Sequence, residues 1–234
     1  MDSTKKYRLT DESITVNGTK LYRIEWIKDN SSSRFIDSAG FIEKEDNLSQ
    51  EGYSWVFGDA KVYGNAKVTG NAKIEDSAEI YGNAKISGNA IISHNAKIYD
   101  NASISGFAEV FHDAKVYGSA IVRDEAKVYG DAEVYGCSLL RDNVEIRGRS
   151  KILGHAKISG FAEIDGNAIV KSADDYIVFD DFNYPITYTK SNNSWVIWDF
   201  YGKKSDLLKY IQEKSGLLKI SYEDVLDLVK GFDI

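Results

Sequence analysis

Residues 63–74 read YGNAKVTGNAKI, two consecutive copies of a six-residue phrase that repeats from Glu51 to Val170. We call each copy a hexad and number its positions from one to six. In all twenty hexads the sixth position is Val, Ile or Leu, and in sixteen of them the fourth is Ala. No residue is inserted or lost over these 120 positions. An unbroken short period is typical of a repeat architecture, in which every copy adopts the same local structure.

Each hexad combines the pattern of a short strand with that of a turn. Ala60 and Val62 alternate with Lys61 and Tyr63, as expected for a strand with one buried and one exposed face. The Gly-Asn pair that follows is typical of a turn, because both residues tolerate positive φ. Short strands separated by two-residue corners predict that the chain winds into a solenoid.

The phrase resembles the hexapeptide repeat of left-handed parallel β-helices. This resemblance implies three corners per coil, so that equivalent positions recur every eighteen residues. We therefore expect an all-β solenoid, a three-sided left-handed parallel β-helix, over residues 51–170. Its 120 residues would form between six and seven coils and rise about 30 Å, since stacked strands lie roughly 4.8 Å apart.

Residues 1–50 predict an N-terminal β-hairpin cap. Two strand-like segments, residues 13–16 and 19–27, flank Asn17-Gly18, which is the preferred tight hairpin turn. Trp55 and Phe57 occupy outward positions on the first coil, so we expect the cap to cover them.

Residues 171–234 predict a small C-terminal α+β cap, with a separate active domain as the alternative. Three strands are expected over residues 176–182, 186–190 and 195–200. A helix is expected over residues 205–214, ended by Gly216, and a second from Ser221, ended by Gly231.

Both end segments are similar to those that flank the repeat in hexapeptide-repeat proteins of bacteria and their phages. The similarity lies in residues 7–10, 21–24, 40–43 and 47–52 at the N-terminal end and in residues 175–178 and 200–202 after the repeat. That group is mostly uncharacterised and is labelled as transferases from its repeats alone. Its occurrence on phages and mobile elements implies one specific role, inhibition of a host defence complex by surface occlusion.

Composition excludes several classes of protein. The net charge of −7 is spread over the chain, with 8 basic and 9 acidic residues in 1–50, 13 and 16 in 51–170, and 8 and 11 in 171–234. There is no basic arm, so we expect no direct nucleic-acid binding. The single Cys137 excludes an intramolecular disulfide. Neither a secretory signal nor a membrane-spanning run is evident, which predicts a cytoplasmic protein with no membrane partner.

Winding the repeat at eighteen residues produces three outer faces, of which the first carries a column of tyrosines with lysines beside it. The column is either a structural ladder, at about 0.2–1 kcal/mol per cross-strand pair, or a flat amphipathic strip for protein contact. The candidate contact residues are Tyr63, Tyr81, Tyr99, Tyr117, Tyr135, Lys97 and Lys115.

The second face departs from the preference of the repeat for Lys at position five. Ile121 and Leu139 lie there one coil apart, with Arg123 and Arg141 beside them. Because exposed apolar patches mark contact sites, we expect subunit association through this face, with cover by a tail segment as the alternative. Two further arginines, Arg147 and Arg149, suggest an anion site, although nearby carboxylates are expected to neutralise them: Asp124, Glu125, Asp142 and Glu145.

His94 and His112 are eighteen residues apart and are therefore neighbours at one corner. Hexapeptide carbonic anhydrases bind zinc through three histidines, but here the third, His155, falls on a different corner. We therefore expect two polar corner residues and no metal.

These observations favour a non-catalytic, rigid scaffold that presents flat faces to a protein partner or to copies of itself, as a dimer or trimer, without a cofactor. The alternative is an acyl-CoA-dependent hexapeptide acyltransferase with sites between the subunits of a trimer, using His94 or His112 as general base. Such enzymes typically carry an excursion loop that shapes the acceptor pocket, and residues 51–170 contain none.

Overall fold

The computed structural model describes residues 5–27, 39–179, 184–218 and 221–230. The chain begins with the predicted hairpin, formed by β1 (Tyr7–Val16) and β2 (Thr19–Trp26) in antiparallel register. Asn17 and Gly18 form its turn with positive φ angles of 50° and 81°. β3 (Phe41–Ile42) pairs with β2 and leads through a 3₁₀ turn, Glu45–Asn47, into the coils.

Twenty strands of two residues follow, one for each hexad. They are β4 (Trp55–Val56), β5 (Lys61–Val62), β6 (Lys67–Val68), β7 (Lys73–Ile74), β8 (Glu79–Ile80), β9 (Lys85–Ile86), β10 (Ile91–Ile92), β11 (Lys97–Ile98), β12 (Ser103–Ile104), β13 (Glu109–Val110), β14 (Lys115–Val116), β15 (Ile121–Val122), β16 (Lys127–Val128), β17 (Glu133–Val134), β18 (Leu139–Leu140), β19 (Glu145–Ile146), β20 (Lys151–Ile152), β21 (Lys157–Ile158), β22 (Glu163–Ile164) and β23 (Ile169–Val170).

Every third strand joins the same parallel sheet, which confirms the solenoid and its eighteen-residue coil. The first face is β5-β8-β11-β14-β17-β20-β23, extended by β3, β2 and β1. The second face is β6-β9-β12-β15-β18-β21, and the third is β4-β7-β10-β13-β16-β19-β22. Lys97 pairs with Lys115 and Ile98 with Val116, so residues one coil apart lie directly over one another.

The core is a column of aliphatic rungs. From Val56 to Val170 the position-six side chains are fully buried, as is every Ala at position four. Val144 replaces one of these alanines and is also buried. Burial stabilises by about 25 cal/mol per Å² of apolar surface, so the fold follows from two positions of the hexad.

Four aspartates take the place of glycine at position two and stabilise the corners. Asp76, Asp100, Asp124 and Asp142 all have φ near 60°. The Asp100 carboxylate accepts a hydrogen bond from the backbone N–H of Gly118, one coil further on, at 3.2 Å. Each of the other three bonds the equivalent amide one coil on in the same way. A short polar side chain that pairs locally offsets the strain of a left-handed backbone.

The N-terminal segment covers the first coil. Trp55 is buried against Tyr7 and Trp26, with ring-centroid distances of 6.1 and 5.1 Å, as expected for a covered aromatic. Backbone N–H groups of the segment donate to coil carbonyls, for example from Phe41 to Ala60 at 2.9 Å. The buried Lys6 donates through Nζ to the Ser54 carbonyl at 2.9 Å, and burial lowers the pKa of Lys6 to about 8.

The C-terminal segment forms a four-stranded antiparallel sheet followed by two helices. They are β24 (Tyr176–Phe179), β25 (Ile186–Thr189), β26 (Ser194–Ile197), β27 (Phe200–Gly202), α1 (Lys204–Leu218) and α2 (Tyr222–Lys230).

Three details of the tail prediction were wrong or lie outside the described residues. A turn that includes Trp198, with φ of 53°, splits the expected strand over 195–200 into β26 and a fourth strand, β27. Gly216 lies inside α1 and does not end it. Residues 180–182 of the expected first strand, and Gly231, lie outside the described residues.

Side chains at the start of the tail satisfy backbone groups of the last coil. Thr187 Oγ1 accepts from the Glu163 N–H at 3.0 Å, and Ser191 Oγ accepts from the Ile169 N–H at 2.7 Å. The tail has its own core, in which Trp195, Leu207, Ile211, Val225 and Val229 are buried. None of the described helices is long and apolar enough to cross a membrane.

Candidate functional site

The tyrosine column predicted on the first face is present as a continuous stack. Successive ring centroids from Tyr63 to Tyr135 lie 5.2, 5.0, 4.8 and 4.8 Å apart, with interplanar angles of 10° or less. Because each ring follows the coil spacing, the rings cover one another's faces and present their edges outward. The column therefore offers a row of ring edges and hydroxyls, and no free aromatic face between its members.

The N-terminal end of the tyrosine column, at Tyr63, is covered, and the rest of the column is partly exposed. Leu21 of the hairpin, Phe41 and Tyr63 form one buried cluster. Higher in the column, the Tyr117 hydroxyl donates to Glu133 at 3.1 Å. Burial, together with neighbouring acidic groups and hydroxyls, raises the pKa of four ladder tyrosines: Tyr63, Tyr81, Tyr99 and Tyr117.

These raised pKa values predict that the protein loses stability in alkali. An unfolded Tyr ionises near pH 10, whereas the folded ladder keeps its protons to higher pH. The stabilisation is therefore complete below about pH 10 and is lost as the pH rises through the raised values. We expect the urea concentration at the unfolding midpoint to decrease as the pH is raised from about 9 to about 11.5. In the folded chain, the tyrosine ionisation followed by absorbance at 295 nm should occur at higher pH than in the unfolded chain.

The double substitution Tyr99→Phe/Tyr117→Phe is the matched control, because it keeps the stack and every other titrating group. We expect it to flatten the alkaline loss. If the urea midpoint of this variant decreased with pH as steeply as that of the natural chain, the tyrosine column would not be the cause of the alkaline loss of stability.

The two candidate lysines on the first face differ in their environment. Lys97 Nζ lies 3.6 Å from Glu79 Oε2, and Lys115 is exposed next to Lys97 in register. The first face therefore mixes both signs of charge along its length, which is typical of a solvated surface as well as of a polar contact.

On the second face, Ile121 and Leu139 are register partners and point outward, as predicted. Ile121 is 41% exposed and Leu139 is partly exposed. The described tail reaches this face at Lys157, whose carbonyl accepts a hydrogen bond from the Tyr176 hydroxyl at 3.3 Å. Arg123 and Arg141 flank the pair, each near its own neighbour, Asp124 or Asp142, at 3.9 and 3.8 Å.

The arginine cluster on the third face is paired differently from the prediction. Arg147 Nε lies 2.8 Å from Asp165 and Nη2 lies 3.5 Å from Glu163, whereas Glu145 accepts from Tyr129. Burial raises the pKa of Glu163 to about 7, against the opposing effect of Arg147. Because Arg147 is already held by two carboxylates, it is not free to bind an anion.

The histidines lie together at one corner. The His94 and His112 rings are 4.9 Å apart, and Asp76 Oδ2 lies 3.8 Å from His94 Nδ1. His94 Nδ1 also lies 3.0 Å from Ser93 Oγ. Among the described residues, no three His, Cys, Asp or Glu side chains gather closely enough to hold a metal ion.

Three exposed aromatics at one corner were missed from the sequence, and the most exposed of them is Tyr53, at 81%. Phe107 and Phe161 lie at the corner between the second and third faces and are 62% and 55% exposed. Both occupy position three, where Asn71, Asn89 and Asn143 stand in other coils. The hexad alignment carried this signal, because a large apolar residue replaces Asn at a solvent-facing corner.

Neither a scan of protein-family models nor a search of curated proteins finds a match to this chain. The functional assignment therefore depends on the geometry of the three faces.

Proposed function

We propose that this protein is a non-catalytic, rigid scaffold that binds a protein partner through one of its flat faces. The observation that carries the proposal is the unbroken coil register over residues 51–170, all of them described, with no loop leaving the coils. Side chains on each face are therefore held in fixed columns about 4.8 Å apart. Such a surface needs little ordering on binding, which lowers the entropic cost of association.

Both ends support the same proposal. Open ladder ends invite strand addition by other chains, and here the hairpin covers one end while residues such as Thr187 and Ser191 pair with the other. The three faces lie between these covered ends, so partners are expected there. One specific form, based on the resemblance to phage-borne proteins, is an inhibitor that occludes the surface of a host defence complex.

The test is affinity capture from host lysate with three matched charge reversals, one on each face. They are Lys97→Glu/Lys115→Glu, Arg123→Glu/Arg141→Glu and Lys73→Glu/Lys127→Glu. All six positions lie outside the aliphatic core, so we expect the fold to persist, as circular dichroism would check. We expect the natural chain to capture one protein in stoichiometric amount. One of the three variants should fail to capture this protein, and the other two should still capture it.

Two results would contradict the proposal. One is capture of no protein by the natural chain. The other is stoichiometric acyl-CoA binding in calorimetry that is lost on substitution of His94 or His112, which would favour the acyltransferase alternative.

A further inference from the structure

We propose that the second face is the docking surface and that its partner is an acidic protein segment with an apolar contact residue. This inference deepens the proposed function and rests on it, because it names the face and the chemistry of the partner.

The second face differs from the other two in its charge. On each strand of a face, hexad position five and the position one that follows it point outward, and we call them the outward strand positions of that face. In residues 51–170, all of which the structure describes, those of the second face carry five basic residues and no carboxylate. The first face carries Glu79 and Glu133 at such positions, and the third carries five carboxylates. Three carboxylates, Asp124, Glu125 and Asp142, lie at the adjoining corner. The five basic residues still outnumber them on a chain of net charge −7, and this local excess of positive charge attracts an acidic partner. The five basic residues are Lys67, Lys85, Arg123, Arg141 and Lys157.

The two central arginines are only weakly neutralised by their neighbours. Asp124 and Asp142 have positive φ. Their Oδ2 atoms, which are the oxygens nearest the arginines, also accept hydrogen bonds from backbone N–H groups one coil further on, at 3.3 and 3.0 Å. Their separations from the Arg123 and Arg141 Nε atoms, 3.9 and 3.8 Å, exceed hydrogen-bond distance. Both aspartates thus have a structural role, and the guanidinium groups keep donors for a partner carboxylate.

The middle of the basic face is apolar. Ile121 and Leu139 lie one above the other between the lysines of the lower and upper coils. Phe107 and Phe161 project from the adjoining corner. Phe and Arg are enriched at protein interfaces, and an apolar centre surrounded by polar contacts is the arrangement found at binding hot spots.

An acidic protein fits this face better than two other occupants. A second copy docked face to face would place five cations opposite five cations, which repel one another. A nucleic acid would span the roughly 24 Å between Lys67 and Lys157 but would meet Ile121 and Leu139 where phosphates need cations. A segment with carboxylates on either side of an apolar residue complements both parts of the face.

The experiment places a benzophenone-bearing amino acid in the full chain at Leu139 on the second face, Lys115 on the first or Ile91 on the third. Each chain is irradiated in host lysate and the cross-linked molecule is identified by mass spectrometry. We expect the Leu139 position to cross-link an acidic peptide far more efficiently than the Ile91 position.

Charge reversal then tests the mechanism. We expect Arg123→Glu/Arg141→Glu to weaken binding of the purified partner by about 100-fold or more, and Lys97→Glu/Lys115→Glu, with the same change in net charge, to leave its affinity within a few fold. We also expect the affinity to fall as salt is raised from 50 to 500 mM.

The inference is overturned if the Leu139 position cross-links a nucleic acid or another copy of this chain, or if the arginine reversal leaves binding intact. A protein cross-linked only from Lys115 or Ile91 overturns it while the proposed function stands. No cross-linked protein from any of the three positions overturns both.

Discussion

The substitution Ile98→Asp is expected to lower the free energy of unfolding by at least about 4 kcal/mol, because it buries a charge without a partner. Ile98 is fully buried and pairs in register with Ile80 below and Val116 above. The Asp carboxylate would face only aliphatic side chains at this level of the coil. We expect loss of the β-sheet circular-dichroism signal or a large shift in the urea midpoint.

The matched control is Lys97→Asp, one residue earlier in the same strand. Lys97 points outward, so an Asp at that position stays in solvent and should cost less than about 1 kcal/mol. Similar losses for the two variants would contradict the alternation of inward and outward positions on which every column of the fold depends.

The second large effect is expected for Gly106→Val. Gly106 has a φ of 72°, and a Cβ atom there would lie 2.7 Å from the Asp124 N and 2.9 Å from its Cα, one coil further on. The substitution therefore combines left-handed strain for a β-branched residue with a backbone clash that forces two coils apart. We expect a loss of about 3–5 kcal/mol in the free energy of unfolding, measured by urea denaturation.

Two variants separate these causes. Gly160 has nearly the same φ, 74°, but nothing within 4 Å of a Cβ atom, so Gly160→Val should show the strain without the clash. Gly106→Asp should be tolerated better than Gly106→Val, because Asp124 already occupies the equivalent position one coil on with a φ of 62°. If the two valine variants lost the same free energy of unfolding, the backbone clash between coils would not explain the effect of Gly106→Val.

The repeat made the solenoid predictable from sequence, whereas the strand limits of the tail were predicted less accurately. Within residues 51–170 a single alternation set both the buried position and the register, so the tyrosine stack and the Ile121–Leu139 pair followed by counting. Beyond Val170 the period ends and strand limits depend on local turns. Nothing in the pattern placed a turn with positive φ at Trp198.

Pairing between charged side chains was the least predictable part of the candidate surfaces. Lys6 resembles a solvent-exposed residue in a polar segment, yet it is buried under the first coil. Arg147 pairs with Glu163 and Asp165 because residues 16 and 18 positions later lie beside it on the next coil. Such choices depend on rotamers and on competition among several carboxylates, which a repeat period does not specify.

The unbroken hexad register also determines how this molecule can change its length. Adding one hexad to the middle would turn all later residues by one side of the prism, so the tyrosines would continue above the position-one residues of a neighbouring face, such as Ser105 on the second face. Adding three would lengthen the prism by about 4.8 Å and leave every vertical alignment intact. Eighteen residues are thus the smallest insertion or deletion that keeps every column of side chains aligned, both for natural variation and for a designer who wishes to set the spacing between two bound partners.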